Sequence, residues 1–231
     1  MRVGKSSKNE TAARFEAAVF DLDGTLLNTL DDLADCVNDV LIEAGLPTHP
    51  NASYKDMVGK GALNLMAVAS GRDIQDPSVV LLHERFSDAY RDGWHQKTRP
   101  YAGIPEALRL LAESGIPMAV LSNKYDATTR LMVKHFFPDL SFAAVIGQRP
   151  GIPDKPDPTS ALEVSARMGV APDRIAYIGD SGTDMLTARH AGMYPVGVLW
   201  GFRDRVELSA AGSAVLIGRP DEIPGLFFST W

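Results

Sequence analysis

Two carboxylates stand one residue apart where a short apolar run ends. The run AAVF, residues 17–20, is followed by Asp21 and Asp23, and Gly24 then releases the chain into a turn. At the carboxyl end of a buried parallel strand, side chains reach the crevice in which α/β proteins bind ligands. Two acids so placed repel each other unless a cation lies between them or they differ in protonation. The pair indicates metal binding or acid–base chemistry, although a solvated strand end explains it equally well.

Three other segments also place polar side chains where an apolar run ends. Ser122 follows PMAVL and offers a hydroxyl group that suits phosphate oxygens. Lys155 lies in DKPDP, where two prolines stiffen the loop, and Asp180 follows RIAYIG. Asp184 lies four residues further on, one helical turn away on the same face. Each segment alone is weak support, but four such ends on one sheet favour a common site.

The groups available to bind a cation at these ends all carry oxygen. Carboxylates beside a hydroxyl and a lysine suit Mg²⁺ and the charge balance of a phosphate group. The five histidines and the single cysteine show no metal-ligand spacing, which argues against a zinc site. The sequence therefore predicts a site that binds Mg²⁺ together with a phosphate group.

The elements that would position these residues alternate between apolar runs and helix-period segments, a pattern typical of a parallel sheet. The candidate strands are residues 17–20, 117–122, 142–147, 174–179, 195–200 and 214–218. Between Leu30 and Arg99 no strand candidate occurs, and three helical patterns fill the interval. We therefore expect an all-helical insert, residues 30–99, after the first strand of an α/β core formed by residues 14–29 and 100–231.

The composition is that of an ordinary globular protein and narrows the choice of partners. The net charge of −6 argues against nucleic acid and against an anionic membrane surface. No apolar run approaches the length that spans a bilayer, and residues 1–13 are interpreted as a polar tail. One cysteine cannot form an internal disulfide, which fits a cytoplasmic location. We expect a monomer or homodimer with no nucleic-acid or membrane partner.

Four short motifs, DLDGTLLNT, LSNK, KPDP and GDSGTD, follow one another along the chain. They resemble the four motifs of the haloacid dehalogenase superfamily of aspartate-nucleophile hydrolases. The insert is similar to the C1 cap of that family, and WGFRDRVELSAAGSAVLIGRPDEI resembles the tail of its phosphoglycolate phosphatase branch. The resemblance implies a Rossmann-like parallel-sheet core with helices on both faces, plus an all-helical cap. Asn28 departs from the pattern, because relatives often carry Asp there.

The resemblance also implies a role for each motif residue. Asp21 would be the nucleophile, and Asp23 would be the general acid and base. Ser122 would hold a phosphoryl oxygen, while Lys155 would neutralise the phosphoryl group and orient Asp21. The residues implied around Mg²⁺ are Asp21, Asp23, Asp180 and Asp184.

The expected substrate-binding residues come from both the core and the insert. Thr25, Ser122 and Asn123 are expected beside the phosphoryl group. In VGKGALNLM, Gly59 and Lys60 stand before a predicted helix, where N–H groups and an ammonium group could meet a small anion such as a carboxylate. A plain turn with a solvated lysine explains this segment equally well.

The function expected from these features is Mg²⁺-dependent hydrolysis of a small phosphorylated metabolite through an aspartyl phosphate. Phosphoglycolate is the best single guess at the substrate. A pyrophosphatase or a hexose-phosphate mutase on the same scaffold is an alternative. A phospho-acceptor signalling module is an alternative of another class, because receiver domains also join acids, a hydroxyl, a lysine and Mg²⁺. Such a module needs neither Asp23 as a proton donor nor the insert.

Overall fold

The computed structural model describes residues 15–228, so the predicted polar tail at residues 1–13 lies outside the described residues. The strands of the described part are β1 (Ala17–Phe20), β2 (Leu27–Asn28), β3 (Arg99–Pro100), β4 (Met118–Tyr125), β5 (Ala144–Gln148), β6 (Ile175–Gly179), β7 (Tyr194–Val198) and β8 (Val215–Ile217). The helices are α1 (Leu30–Glu43), α2 (Ala62–Ser70), α3 (Pro77–Gly93), α4 (Ile104–Glu113), α5 (Asp126–Phe136), α6 (Thr159–Met168), α7 (Gly182–His190), α8 (Arg205–Ala210) and α9 (Gly225–Phe228). Short 3₁₀ helices cover Asn51–Asp56, Pro172–Arg174 and Pro220–Glu222.

Six strands form one parallel sheet in the order β5–β4–β1–β6–β7–β8, which confirms the predicted sheet. β1 lies in the middle and pairs with β4 and β6, so all four of its residues are buried. A strand buried on both faces reads as a continuous apolar run, which explains the sequence AAVF. Phe20 lies level with Val120 and with Ile178. The three strands therefore deliver the residues that follow them to one edge of the sheet.

Helices cover both faces of this sheet, as expected. Ala17 and Val19 of β1 belong to one apolar cluster, to which α6 and α7 also contribute. Ala18 and Phe20, which point the other way, belong to a second cluster with residues of α4 and α5. The alternation follows from the two-residue period of a strand. The core of the molecule is thus a three-layer sandwich with the sheet in the middle.

Three helices and a 3₁₀ helix occupy the interval between β2 and β3, where the sequence predicted only helices. α1 packs on α3 and buries Val37, Leu82 and Phe86. These residues follow the helical spacing by which the sequence located the two helices. We propose residues 30–99 as a cap, a name used below for α1, α2, α3 and the loops that join them.

A two-stranded antiparallel ribbon, β2 with β3, joins this cap to the rest of the chain. Leu27 pairs with Pro100 and Asn28 with Arg99, so the chain leaves and re-enters the core side by side. The ribbon could not be predicted from the sequence, because two-residue strands carry no periodicity. In the described part of the chain, no helix combines the length and the apolar character that a membrane span requires.

Candidate active site

Three polar side chains predicted to act together do meet at one edge of the sheet. Asp21 directly follows β1, Ser122 lies in the last part of β4, and Asp180 directly follows β6. All three are at least nine-tenths buried. Lys155 reaches the same edge from the loop before α6. The edge therefore carries acids, a hydroxyl and an ammonium group in one buried patch.

Lys155 is the electrostatic centre of this patch. Its Nζ donates hydrogen bonds to Oδ1 of Asp21 at 2.9 Å, to Oδ1 of Asp184 at 2.7 Å and to the carbonyl oxygen of Leu121 at 3.1 Å. Burial works to lower the pKa of Lys155, but Asp184 and Asp21 outweigh it and raise that pKa well above its usual range. The side chain thus remains a fixed positive charge beside Asp21.

Asn123 holds the backbone of Lys155 in place. The backbone N–H of Lys155 donates to Oδ1 of Asn123 at 2.8 Å, and Nδ2 of Asn123 donates to the carbonyl oxygen of Lys155 at 3.0 Å. Both the oxygen and the nitrogen of the Asn123 side-chain amide thus form hydrogen bonds with the backbone of Lys155. Asn123 was predicted to bind substrate, and here it supports the lysine loop.

Three carboxylates lie close enough to share one cation. Asp21, Asp180 and Asp184 each offer one oxygen, and these oxygens lie within 4.8 Å of one another. Asp180 accepts hydrogen bonds from Oγ1 of Thr25 at 3.1 Å and from the backbone N–H of Phe202 at 2.8 Å. These hydrogen bonds fix the orientation of Asp180. Thr25, predicted to bind substrate, thus contacts Asp180, and its role toward the substrate stays a prediction.

Asp184 opens helix α7 and is fixed by a capping box. The backbone N–H of Asp184 donates to Oγ of Ser181 at 3.3 Å, and the backbone N–H of Ser181 donates to Oδ2 of Asp184 at 3.1 Å. The other oxygen of Asp184 accepts the hydrogen bond from Lys155. Reciprocal bonds of this kind satisfy N–H groups that a helix start would leave unpaired.

The cluster carries more negative charge than its own residues neutralise. Burial, and then the nearby Asp184, raises the pKa of Asp21 well above its usual range and that of Asp180 to about 7. One lysine stands against three buried carboxylates, so a divalent cation would restore the balance. Oxygen donors suit Mg²⁺ or a similar hard cation. The three residues therefore fit a divalent metal.

Two glycines let the backbone pack tightly around Asp180. A Cβ atom on Gly24, where φ is +88°, would lie 2.2 Å from Oδ2 of Asp180. A Cβ atom on Gly201 would lie 2.3 Å from Cβ of Asp180. The loop that carries Gly201 also supplies Trp200, whose Nε1 donates to the carbonyl oxygen of Thr25 at 3.0 Å. The sequence analysis assigned no site residue to this loop, although a glycine after a predicted strand was a signal for it.

Asp23 lies outside the carboxylate cluster found among the described residues. Its Oδ1 forms an ion pair with Nζ of Lys124 at 3.2 Å. Lys124 in turn donates a hydrogen bond of 3.2 Å to the hydroxyl group of Tyr90 in α3. Lys124 belongs to the LSNK motif, but the sequence analysis assigned roles only to the two residues before it. Its charge and its position after Ser122 were the available signal.

A cavity of about 840 Å³ separates the strand ends from the cap. Its walls include Asp21, Asp23, Ser122, Lys124, Lys155 and Asp180 from the core, and Leu33, Gly59, Gly61, Leu65, Phe86, Tyr90 and Trp94 from the cap. Gly59, predicted to bind substrate, thus faces the cavity. Lys60, which was predicted to act with it, is exposed and lies outside the lining.

Arg203 ties the core loop that follows β7 to the cap. Its guanidinium group donates to the carbonyl oxygen of Lys55 and, at 2.7 Å, to that of Val58. Nε of Arg203 also forms an ion pair of 3.1 Å with Glu207. No role for Arg203 could be predicted from the sequence, because its partner Val58 lies 145 residues earlier in the chain.

Known proteins resemble this chain in sequence and in fold. A family model described as haloacid dehalogenase-like hydrolase matches residues 18–198. A phosphoglycolate phosphatase from Mannheimia succiniciproducens is 34% identical over 82% of this chain and 88% of its own. An N-acetylmuramic acid 6-phosphate phosphatase from Pseudomonas aeruginosa is 31% identical over 91% of this chain and 93% of its own. A crystal structure from Lactobacillus delbrueckii subsp. bulgaricus, 29% identical, superposes with a TM-score of 0.86 and covers 94% of this chain and 100% of its own.

Proposed function

The chain belongs to the haloacid dehalogenase-like hydrolase family and is a phosphoric monoester hydrolase, and we propose that it is a Mg²⁺-dependent phosphatase with Asp21 as its nucleophile. The observation that carries this proposal is the contact of Lys155 with both Asp21 and Asp184. It places a fixed ammonium group beside the carboxylate that would attack phosphorus. An anionic nucleophile approaches a phosphate dianion only where positive charge offsets the repulsion.

The first half of the reaction forms an aspartyl phosphate. A carboxylate oxygen of Asp21 bonds to phosphorus while the bond from phosphorus to the leaving oxygen breaks. Asp23 gives its proton to that oxygen, so an alcohol departs instead of an alkoxide. Lys155 and the hydroxyl group of Ser122 meet phosphoryl oxygens and hold the group in line with Asp21.

The second half of the reaction returns the enzyme to its starting state. Asp23, now ionised, takes a proton from a water molecule that attacks phosphorus. The bond to Asp21 breaks, and inorganic phosphate is released. Asp21, Asp180 and Asp184 would hold Mg²⁺, which when bound supplies positive charge that lowers the repulsion between carboxylate and phosphate.

Phosphoglycolate is the proposed substrate because the relative from Mannheimia succiniciproducens is named for it. N-acetylmuramic acid 6-phosphate, named for the relative from Pseudomonas aeruginosa, is a second candidate. Both compounds are phosphate monoesters that also carry a carboxylate. The cavity volume of about 840 Å³ is large enough for either compound. The first turn of α2 lines the cavity and is suited to the carboxylate of either compound.

A substrate panel tests this proposal. Phosphate release is measured with Mg²⁺ on phosphoglycolate, N-acetylmuramic acid 6-phosphate, nitrophenyl phosphate, pyrophosphate and a hexose phosphate with and without its bisphosphate. We expect multiple turnovers and the highest kcat/KM on a carboxylate-bearing monoester. Asp21→Asn, purified in parallel, controls for a contaminating phosphatase. A folded, Mg²⁺-loaded protein that releases phosphate from none of the esters would refute the proposal.

A further inference from the structure

The three residues that follow Ser122 each contact the cap. Nδ2 of Asn123 donates to the carbonyl oxygen of Gly59 at 3.2 Å. Nζ of Lys124 donates to the hydroxyl group of Tyr90, also at 3.2 Å, and the hydroxyl group of Tyr125 lies 2.9 Å from Nε2 of His83. Of these three residues, Lys124 is the one whose side chain also reaches Asp23, the proposed proton donor. One side chain therefore joins the cap to the acid.

The ammonium group of Lys124, a residue of β4, is a nearly buried cation that packs against Tyr90 of the cap. Its side chain is 11% exposed, and its Nζ lies 4.5 Å from the centroid of the Tyr90 ring. Burial works to lower the pKa of Lys124, but Asp23 and Tyr90 outweigh it and raise that pKa above its usual range. Burial also raises the pKa of Tyr90 to about 12, so its hydroxyl group is neutral and accepts the hydrogen bond from Lys124. Tyr90 thus contributes both a ring face and an oxygen to one ammonium group.

The carboxylate of Asp23 depends on this ammonium group. Oδ1 of Asp23 is buried and receives no hydrogen bond from the residues that the structure describes. Lys124 lies 3.2 Å away, at an angle that makes the contact an ion pair without a hydrogen bond. A buried carboxylate oxygen without a donor is costly, so its cation partner strongly affects its orientation.

We propose that Lys124 is a positioning residue that aims Asp23 at the leaving oxygen, and that Tyr90 makes this aim depend on the position of the cap. The inference rests on the proposed function, because it needs Asp23 as the general acid. A general acid works only within hydrogen-bond reach of the oxygen that it protonates. Withdrawal of Tyr90 with the cap frees the ammonium group, and Asp23 loses its fixed orientation. Efficient protonation of the leaving group is thereby confined to the arrangement in which the cap covers the substrate.

The inference predicts a loss that depends on the leaving group. Nitrophenolate departs without a proton, whereas the alkoxide of an alkyl phosphate needs one. Lys124→Met keeps most of the side-chain volume and removes the charge. We expect it to lower kcat/KM on the best alkyl phosphate of the panel about tenfold more than kcat/KM on nitrophenyl phosphate, a fraction of the factor that a whole general acid contributes. The ratio kcat/KM is used because it reports the step in which the leaving group departs, whereas kcat also contains hydrolysis of the aspartyl phosphate, which both esters share. Tyr90→Phe, which removes a single oxygen, should shift the ratio of the two kcat/KM values in the same direction by a smaller factor.

Tyr125→Phe is the matched control, because it breaks a neighbouring contact with the cap and leaves Lys124 and Asp23 in place. We expect it to leave the ratio of the two kcat/KM values unchanged. Lys124→Arg keeps a positive charge and should restore part of the activity on the alkyl ester. Circular dichroism and thermal unfolding establish that each variant is folded, and Tyr90→Phe tests the inference if Lys124→Met is not.

The outcomes separate the inference from the proposed function. A wild-type protein without activity on any ester refutes the proposed function. An active wild type, together with Lys124→Met and Tyr90→Phe variants that lose kcat/KM equally on both esters or not at all, overturns the inference alone. A shift of the ratio in Tyr125→Phe as large as that in Lys124→Met would also overturn it, because any contact with the cap would then suffice.

Discussion

The two sides of the cavity differ in how their side chains are held. On the core side, Lys155 is 4% exposed and its ammonium group is held between two fixed partners, Asp21 and Asp184. On the cap side, the lining consists largely of apolar and aromatic side chains such as Phe86 and Trp94, with Ser87, Tyr90 and Arg91 of α3 as polar exceptions. The difference teaches that the core is built for one charge distribution, whereas the cap is built to exclude water and to shape the space around a leaving group.

This difference has a consequence for substitutions. A change in the core alters the charge around phosphorus, which every substrate shares. A change in the cap alters only the contacts with the group that departs. Variants of Asp21, Lys155 and Asp180 should therefore lose activity on all substrates in parallel. Variants of the cap, and of Lys124 and Asp23, which act on the leaving oxygen, should change the ratio between substrates.

The largest effect is expected for Asp21→Asn. The amide keeps the shape of the side chain but cannot attack phosphorus, so turnover should fall below detection on every ester. Steady-state phosphate release, with circular dichroism as the check on folding, measures this effect. Near-wild-type activity in a pure preparation would show that the core side of the comparison is wrong.

Removal of the metal should also stop turnover, this time reversibly. Excess chelator is expected to abolish phosphate release, and added Mg²⁺ to restore it, because the three clustered carboxylates exceed the charge of Lys155. Ca²⁺ should bind and inhibit, since its looser coordination misplaces the attacking carboxylate. Undiminished activity in excess chelator would contradict the assignment of Asp180 to the metal.

The pH dependence of metal binding gives a sharper form of this prediction. The pKa of Asp180 is raised from 3.8 to about 7, so the metal-free folded state binds a proton there that the unfolded state has lost. Asp180 therefore makes the metal-free protein less stable as the pH rises from about 4 to 7. Mg²⁺ should raise Tm more above pH 7 than at pH 5, because protons compete less for the site. Asp180→Asn is the control, and it should remove most of this difference.

Lys155→Met should cause the next largest loss of activity. Loss of one preorganised charge typically costs about two to three powers of ten in rate. We expect the same factor for nitrophenyl phosphate and for the best alkyl phosphate, because the ammonium group acts on the phosphoryl group itself. A loss of kcat/KM on only one of the two esters would show that Lys155 contributes to substrate specificity. The kcat/KM values of both esters decide between these results.

The smallest effect is expected for Lys60→Ala. Lys60 is exposed and lies outside the cavity lining, so its removal should change kcat/KM on any ester by less than about twofold, as is usual for exposed side chains. Gly61→Ala is the matched comparison, because Gly61 lines the cavity with φ at +83°. It should change the ratio between substrates. A several-fold change of that ratio in Lys60→Ala would instead support the role in anion binding that the sequence suggested for Lys60.

The core was predictable from sequence because local patterns carry it. β1 coincides with the apolar run at residues 17–20, and Asp21 and Asp180 each follow directly on a strand. The edge at which they meet follows from the parallel order of the strands. The phosphatase assignment is supported by the same motifs and by the relatives reported above.

The cap side of the site was less predictable because distant contacts determine it. Arg203 reaches Val58 across 145 residues, and no local spacing encodes that contact. Lys124 had a visible charge, but its partner Tyr90 lies on a helix 34 residues earlier. Lys60 illustrates the converse, since its charge suggested a role, whereas its side chain is exposed and is not part of the cavity lining.

The most direct test is to identify the residue that carries the phosphoryl group during turnover. Asp23→Asn should slow hydrolysis of the intermediate more than its formation from nitrophenyl phosphate, because that leaving group needs no proton. Acid quench of this variant during turnover, followed by peptide mass mapping, is predicted to find one phosphoryl group on the peptide that contains Asp21, and none in Asp21→Asn/Asp23→Asn. If Asp23→Asn releases nitrophenol but no phosphoryl group is found on the protein, or if it is found on another residue, the central claim that Asp21 is the nucleophile is contradicted.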